Sequence, residues 1–367
     1  VAKASGLLAR DFMKKKQASK KKPREPRAGK KPLILVTGAG GRLGKHLLKL
    51  LLERKSRIRV LARAGADLSF PEGVEIFPGD ITHPQTIFDA VRGVDIVYHL
   101  AALVDYATSE KMLFDVNVEG TRNLLKACVE VAPNLKRFVY CSSTGAMGKE
   151  LAEIPANEKT ECIPTDNYGL SKLMAEKVVL EYKGKLPVVI VRPAVIYGEG
   201  FDEGYFSVLK LLKRHKARIV DSGDNVIPFV HAEDVVKAFA LSAESPKAVG
   251  QIYIIAGGEQ MTQKEILEIA ARELGVKPPH KHVPRFMAEL EIQLFYLMSF
   301  FGGRRPPLDL EQLSVISSHR IFDISKAKKE LGYSPEVRLE EGIKEMVEYY
   351  RRGAFYAEHG KGGKVHK

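Results

Sequence analysis

Tyr168-Gly169-Leu170-Ser171-Lys172 sets a phenol and an ammonium four residues apart. On a helix that spacing puts both on one face. An ordinary phenol titrates at about pH 10 and is a poor acid–base group at neutrality, whereas a neighbouring ammonium favours phenolate and lowers that value. The pair is therefore a candidate proton donor and acceptor. Cys141-Ser142-Ser143-Thr144 precedes it, at the end of the apolar run Arg137 to Cys141. If that run is a strand of an open parallel sheet, its carboxyl end lines a ligand crevice. A serine hydroxyl there can hydrogen-bond a substrate oxygen and orient it toward Tyr168.

A second chemistry lies further upstream. The apolar run Leu33 to Thr37 leads into Gly38-Ala39-Gly40-Gly41-Arg42-Leu43-Gly44, then a helix with apolar positions at Leu43, Leu47, Leu48 and Leu51. Gly38, Gly41 and Gly44 form GxxGxxG: one glycine for a tight turn, one for close approach to a pyrophosphate, one for close helix–strand packing. The helix start adds free N–H groups and a positive dipole end. A dinucleotide is the ligand this strand–turn–helix expects. The next strand should end beside the adenosine ribose, where an acid would bind the 2′-hydroxyl of NAD. Here it reads Val60-Leu61-Ala62-Arg63, with no acid before Asp67. Arg63 would pair with a 2′-phosphate and Arg42 lies in the loop itself, so NADP is favoured over NAD.

These groups need elements to hold them. Strand-like runs at 33–37, 58–61, 74–77, 94–100, 137–141 and 188–191 alternate with helical stretches at 43–52, 84–91, 111–131 and 168–182. That alternation predicts βαβ units, a parallel sheet and helices on both faces. After Pro193 helical stretches dominate, at 205–215, 232–243, 262–274, 284–301, 308–316, 325–331 and 339–351, with short strands near 218–220, 227–230 and 251–255. The expected fold is α/β: a Rossmann-type doubly wound parallel sheet with a smaller helix-rich C-terminal substrate-binding region. The expected boundaries are a basic flexible tail at 1–31, a dinucleotide-binding domain at 32–198, a mainly substrate-binding region at 199–352 with pieces returning to the sheet, and a basic flexible end at 353–367. Phe286 to Phe301 is notably apolar. A packed cap helix is the expectation there, with cover for a greasy pocket or contact with a membrane surface as alternatives. Asp234 falls in the first turn of a helix, a favourable place for an acid, so it and His231 are expected to be structural.

The charge is concentrated. The 367 residues carry 58 Lys+Arg against 45 Asp+Glu, a net charge of +13, yet residues 1–31 alone hold 12 of the basic side chains and two acids. The rest carries only +3, whereas a nucleic-acid-binding body would need a basic face of its own. The arm alone could meet nucleic acid or anionic lipid; a solubilising arm is the preferred expectation. Cys128, Cys141 and Cys162 form no CxxC pair or Cys/His cluster, so neither a disulfide framework nor a bound metal is expected, and a reducing, cytoplasmic location is. There is no run of about 18 apolar residues to span a membrane, and Leu7-Leu8-Ala9 is too short for a signal-peptide core.

Taken in order, the motifs resemble the extended short-chain dehydrogenase/reductase family, of the NAD-dependent epimerase/dehydratase type. They are the glycine loop, Gly79-Asp80, His99-Leu100-Ala101-Ala102, Asn117-Val118-x-Gly120-Thr121, Ser142-Ser143, YxxxK, Arg192-Pro193-Ala194-Val195-Ile196-Tyr197-Gly198, His231-Ala232-Glu233-Asp234-Val235, and the closing Leu331-Gly332-Tyr333-Ser334-Pro335. The resemblance covers about residues 32–352. It implies that Ser143 polarises the substrate oxygen, that Tyr168 is the general acid/base, and that Lys172 lowers the Tyr168 pKa and binds the nicotinamide ribose. Ser143 rather than Ser142 matches the family position, five residues before Gly148. Cofactor contacts are implied for Gly38, Gly40, Gly41, Arg42, Leu43 and Gly44, for Arg63, and for Asp80 and Ile81 beside the adenine. They are also implied for Leu100, Ala101, Ala102 and Pro193, with Asn117 supporting the site from the long helix. Asp105, Thr144 and Tyr197 are the implied substrate contacts. A homodimer through helices 111–131 and 168–182 is implied as well.

Within that family the pattern is most similar to dihydroflavonol reductases and 3β-hydroxysteroid dehydrogenases, through Arg63 and the stretch from Pro284 through Pro306-Pro307 to Pro335. The implied activity is an NAD(P)-dependent interconversion of a hydroxyl and a keto group by hydride transfer, on a hydrophobic alcohol or ketone. The runner-up is a nucleotide-sugar 4-epimerase or dehydratase with tightly bound NAD. Two departures weaken it: the missing acid after the second strand, and Met147 where sugar epimerases usually carry Tyr. A third reading, from another class, is a non-catalytic dinucleotide-binding sensor or assembly protein whose tail meets RNA or membrane. The intact Ser143, Tyr168 and Lys172 argue against it.

Overall fold

A computed structural model of the protein describes residues 31–63, 70–104, 108–202, 204–300 and 306–359. The basic stretch before residue 31, Asp105 and the last eight residues lie outside that set. Strand β1 (Leu33–Thr37) is buried at every position. Its alternate side chains enter two different cores, Ile34 and Val36 on one face of the sheet, Leu33 and Leu35 on the other. An uninterrupted apolar run is what a strand covered on both faces requires. Six more strands join it: β2 (Arg57–Ala62), β3 (Val74–Pro78), β4 (Ile96–His99), β5 (Arg137–Cys141), β6 (Val188–Pro193) and β7 (Ile252–Ile255). All pair in parallel, in the order β3-β2-β1-β4-β5-β6-β7. The order reverses between β1 and β4, and such a switch point leaves a crevice outside the strands' carboxyl ends. The Rossmann-type doubly wound sheet read from the sequence is the sheet observed, with a late segment returning as β7.

Two helices depart from expectation. The stretch 84–91 is a 3₁₀ turn, Pro84–Thr86, followed by one helical turn, Phe88–Val91. The expected single helix 111–131 is three pieces: Glu110–Phe114, a π-helical turn Asp115–Gly120, and α2 (Thr121–Val131). Insertions of this kind occur where a side chain must be re-aimed, and the turn carries Asn117. Helix α1 (Arg42–Glu53) follows the glycine loop, and α3 (Asn167–Glu181) carries the YxxxK pair.

Beyond β6 the chain builds a separate apolar cluster, with Tyr197, Leu209, Phe229, Leu267, Ile343 and Met346 among its members. Asp234, fully buried, accepts the Glu336 and Val337 N–H groups at 3.0 and 3.2 Å and ties helix Ala232–Glu244 to the C-terminal segment. Helix α4 (Arg285–Phe300) corrects the packed-cap reading on one face. Ala288 and Ile292 pack onto Val220, Val283 and Leu313, while Phe286, Leu290, Leu294 and Leu297 are half or more exposed.

A buried ion pair locks β5, β6 and α3 together. Arg192 donates to both carboxylate oxygens of Glu176, at 2.8 and 2.6 Å, and Ser142 donates to the same carboxylate at 2.5 Å. Removing one partner of such a pair strands the other in low dielectric, at about 3–5 kcal/mol. Glu176→Ala is therefore expected to lower stability by about that amount in urea unfolding; a loss below about 1 kcal/mol would show that Arg192 finds another partner.

Candidate active site

The glycine loop is built by close approach. Gly38 has φ +72°, and a Cβ there would lie 2.6 Å from the Ala101 amide nitrogen. A Cβ on Gly44 would lie 2.2 Å from the Gly38 carbonyl oxygen, so α1 packs directly on the turn. Gly41 is the N-cap of α1, whose first turn has neither a side-chain cap nor an acid. The helix start thus keeps its N–H groups and positive dipole end for an anion. This cradle fits the pyrophosphate of a dinucleotide: backbone donors, no side chain in the way, no competing charge. Nothing lies within 4 Å of a Cβ built on Gly40, so no close approach requires glycine there.

The acid–base group sits where α3 crosses the short 3₁₀ turn Thr144–Met147 that follows β5. Ser143 caps that turn, accepting the Gly145 N–H at 3.0 Å, and Asp166 caps α3, accepting the Gly169 N–H at 2.7 Å. A Cβ on Gly169 would stand 2.3 Å from the Gly145 carbonyl oxygen, and one on Gly145 would stand 3.5 Å from Tyr168 Cε1. Gly169 thus lets α3 close on the turn, and the Tyr168 ring lies in ordinary contact with Gly145, its hydroxyl bonded to that of Ser143. Ser142 is turned away into the Glu176–Arg192 pair, which separates the two neighbouring serines by role.

Lys172, one helical turn on from Tyr168, is 3% exposed. Its ammonium donates to the Cys141 carbonyl at 2.8 Å and to the Tyr140 hydroxyl at 3.5 Å. The Tyr168 phenol is raised above its ordinary pKa rather than lowered: burial is the main cause, the nearby Cys141 adds to it, and the Ser143 hydrogen bond opposes it. The expectation that Lys172 depresses Tyr168 is not met in this geometry, because burial dominates and the ammonium donors are turned to β5. Burial also pushes Lys172 down.

A buried chain of hydrogen bonds links this group to the glycine loop. Thr121 Oγ1 donates to the Asn117 carbonyl at 2.7 Å, so toward His99 Nε2, 2.9 Å away, it must accept. His99 therefore carries its proton on Nε2, and Nδ1 accepts from Thr37 Oγ1 at 2.7 Å. Thr37 Oγ1 in turn accepts the Ala101 amide at 3.2 Å. Burial and the Lys172 charge push His99 down to about 3, which keeps it neutral. On the other side Asn117 bonds both the N–H and the carbonyl of Leu103, at 2.8 and 3.0 Å, and donates to Ser171 Oγ at 2.9 Å. Ser171 donates to the Tyr168 carbonyl at 2.8 Å.

One cavity of about 1450 Å³ brings the halves together. Gly38, Gly41, Arg42, Leu43, Gly44, Leu100 and Ala102 line it at the loop. Ser143, Thr144, Tyr168, Lys172 and Pro193 line it at the acid–base group. Tyr197 reaches the wall from inside an aromatic group, 5.5 Å from Phe229 and 5.2 Å from His231 between ring centres. Gly40, which is exposed, the half-buried Ala101 and the buried Asn117 are not part of the lining. Arg63, exposed just past β2, and Asp80 and Ile81, just past β3, are also outside the lining. The Asp80 carboxylate accepts the Thr82 N–H and hydroxyl at 2.9 and 2.8 Å. Asp105 lies outside the described residues.

A family model described as the NAD dependent epimerase/dehydratase family matches residues 34–256. The chain belongs to that family. A 3-beta-hydroxysteroid dehydrogenase of Mycolicibacterium neoaurum is 31% identical over 337 residues, covering 86% of this chain and 91% of that protein. A 3beta-hydroxysteroid-dehydrogenase/decarboxylase of Arabidopsis thaliana is 27% identical over 351 residues, covering 86% and 79%. The crystal structure of a UDP-glucuronic acid 4-epimerase from Bacillus cereus in complex with NAD superposes with a TM-score of 0.68 at 23% identity, covering 87% of this chain and 99% of that one, which shows the shared fold.

For this epimerase/dehydratase-family protein, three residues around the site were not singled out from sequence: Tyr140, Glu176 and Tyr205. Tyr140 occupies a position that a buried strand would fill with any apolar residue, so a polar atom there was the available signal. The division between the serines makes a sharp prediction. Ser143→Ala should lower kcat roughly 10²–10³-fold, as loss of one positioned donor does. Ser142→Ala, which leaves Glu176 paired with Arg192, should keep kcat within a few-fold and lower stability by about 1 kcal/mol. The reverse pattern would assign the roles the other way.

Proposed function

We propose that this protein is an NAD(P)-dependent oxidoreductase that interconverts a hydroxyl and a keto group on a largely apolar substrate. The observation that carries the reading is the Ser143–Tyr168 hydroxyl pair opening onto the same cavity as the glycine loop. Away from the pair that cavity is walled by apolar side chains, among them Leu209, Ile227, Leu267, Ile343 and Met346. When bound, the nicotinamide gives or takes the hydride. The chain's residues handle the oxygen and its proton. Ser143 Oγ accepts the Gly145 amide, and its own proton, directed to the Tyr168 oxygen in this structure, is the one that would turn to the substrate oxygen. Tyr168, kept as neutral phenol by burial, gives its proton to that oxygen in reduction and takes it back in oxidation. Lys172 supplies a buried positive charge beside the oxygen that forms. A polar group elsewhere on the substrate would meet Tyr205, whose buried hydroxyl has no partner among the described residues.

Arg63, exposed just past β2 with no acid before Asp67 in the sequence, supports NADP over NAD, with Arg42 above the Phe201 ring in the loop. Exposed Leu170, Met174 and Leu180 on α3 with Val129 on α2 support a homodimer through those two helices. A cytoplasmic site of action completes the reading. The nucleotide-sugar epimerase stays second, supported by the fold it shares with NAD-bound epimerases; against it stand the apolar walls and the fully buried Met147.

Tyr168→Phe should abolish turnover of a ketone panel while dinucleotide binding, followed by fluorescence titration, stays within a few-fold. Retained turnover would refute the acid–base assignment. Because Tyr168 is raised, it stays protonated through neutral and moderately alkaline pH. Ketone reduction should therefore show no Tyr168-linked fall below about pH 10, and alcohol oxidation should climb with pH. A break near pH 7 that disappears in Tyr168→Phe residual activity would contradict this. Arg63→Ala should weaken NADP binding about tenfold or more and leave NAD binding unchanged. Tyr205→Phe should raise KM several-fold with kcat nearly constant.

A further inference from the structure

Helix α4 presents two apolar faces. One is accounted for: Ala288 and Ile292 are buried against Val220, Val283 and Leu313. The other is a continuous stripe at helical spacing, Phe286, Leu290, Leu294 and Leu297, flanked by Met287 and Met298. These six side chains are 46–68% exposed. Large apolar patches on a soluble surface mark contact with another body.

The charges around the stripe are matched to an anionic one. The helix carries two acids, and both are neutralised: Glu289 by Arg285 at 2.8 Å, and Glu291 by Arg218 through both guanidinium NH groups. Lys277 and Lys281 precede it, and Arg304-Arg305 follow it in the sequence, so residues 277–305 carry five basic side chains against those two acids. Six side chains on one helix also fall well short of the about 20–30 residues a side that a stable protein interface uses. A single helix with an apolar stripe and basic flanks suits the headgroup boundary of a bilayer, where it lies in the plane of the surface. No described helix is long and apolar enough to cross a membrane.

The position of the stripe adds a reason for such a contact. Tyr296 of the same helix lines the catalytic cavity, as do Val104 and Leu310, and all three are exposed at 37–51%. The same lining carries Arg218, paired with Glu291 of α4, and Glu311, paired with Lys149, so the apolar surface near α4 is interrupted by neutralised charges.

We propose that the outward stripe of α4 is an interfacial anchor that seats the protein on an anionic lipid surface, with the cavity rim at the bilayer so that an apolar substrate enters from the lipid. The anchor stands on the stripe and its flanking charge; only the route of entry rests on the apolar-substrate reading. The anchor contributes attachment by burying leucine, phenylalanine and methionine side chains, and the basic flanks select anionic headgroups.

The test is flotation of the full-length protein with vesicles of equal parts phosphatidylcholine and phosphatidylserine, and with phosphatidylcholine alone. The intact protein should float with the anionic vesicles and much less with the neutral ones. The triple variant Leu290→Ser, Leu294→Ser, Leu297→Ser should lose partitioning by about tenfold or more, with oligomeric state, melting temperature and turnover of a water-soluble ketone unchanged. The chain contains no tryptophan, so Leu294→Trp gives a single reporter whose emission should shift to the blue only with anionic vesicles. Vesicle binding by the triple variant equal to that of the intact protein would overturn the anchor and assign binding to the basic N-terminal stretch. Absence of binding by the intact protein would overturn it as well. A drop in oligomeric state in the triple variant would make the stripe an interface between copies. Failure of the ketone panel with vesicle binding intact would count against the oxidoreductase reading and leave the anchor standing.

Discussion

A run of buried hydrogen bonds begins at Thr37, where β1 meets the glycine loop, and ends at the carbonyl of Tyr168. It passes through His99, Thr121, Asn117 and Ser171, and each step is between 2.7 and 2.9 Å. Its directions are fixed. Thr121 spends its proton on the Asn117 carbonyl, so His99 must donate from Nε2 and accept at Nδ1. A charged His99 would break that pattern, and burial prevents it. This run ties the phosphate loop to the helix that carries Tyr168. The stretch before α2 gives up regular α-helical geometry at the turn that carries Asn117, whose side chain bonds both Leu103 and Ser171.

The same burial shapes the acid–base chemistry. In water an ammonium beside a phenol would draw it toward phenolate. Inside this cavity the phenol loses solvation, and the ammonium is committed to the Cys141 carbonyl and the Tyr140 hydroxyl. The outcome is a neutral Tyr168 held against Ser143, with Gly169 allowing the helix to ride on the 3₁₀ turn. That arrangement is suited to giving a proton to a carbonyl oxygen. The buried Glu176–Arg192 pair engages the hydroxyl of the neighbouring Ser142 and fixes α3 to the sheet.

Much of this was legible in the residues. β1, β5 and β6 are apolar runs of strand length ended by Gly, Ser or Pro, and their parallel pairing followed from the helices between them. Gly38 and Gly44 were assigned a turn and a close packing contact, and each has one. Ser143, Tyr168 and Lys172 were found because their types and order repeat a known pattern. What was not legible depends on tertiary contact. Residues 111–131 have helical periodicity throughout, and periodicity does not register one extra residue per turn drawn in by an amide hydrogen bond. The direction of the Tyr168 shift depends on burial set by residues far away in sequence. Helix α4 is apolar on two sides, and a pattern without a polar face does not say which side is covered.

The central claim is that Ser143 and Tyr168 serve hydride exchange between a nicotinamide and a carbinol carbon. The most direct measurement uses reduced NADP carrying deuterium at the transferable position, incubated with the protein and an apolar ketone. The account predicts deuterium on the new carbinol carbon, found by mass spectrometry, with one oxidised dinucleotide formed per alcohol. Product without deuterium, or a sugar nucleotide inverted at one carbon while the dinucleotide is unchanged, would contradict it.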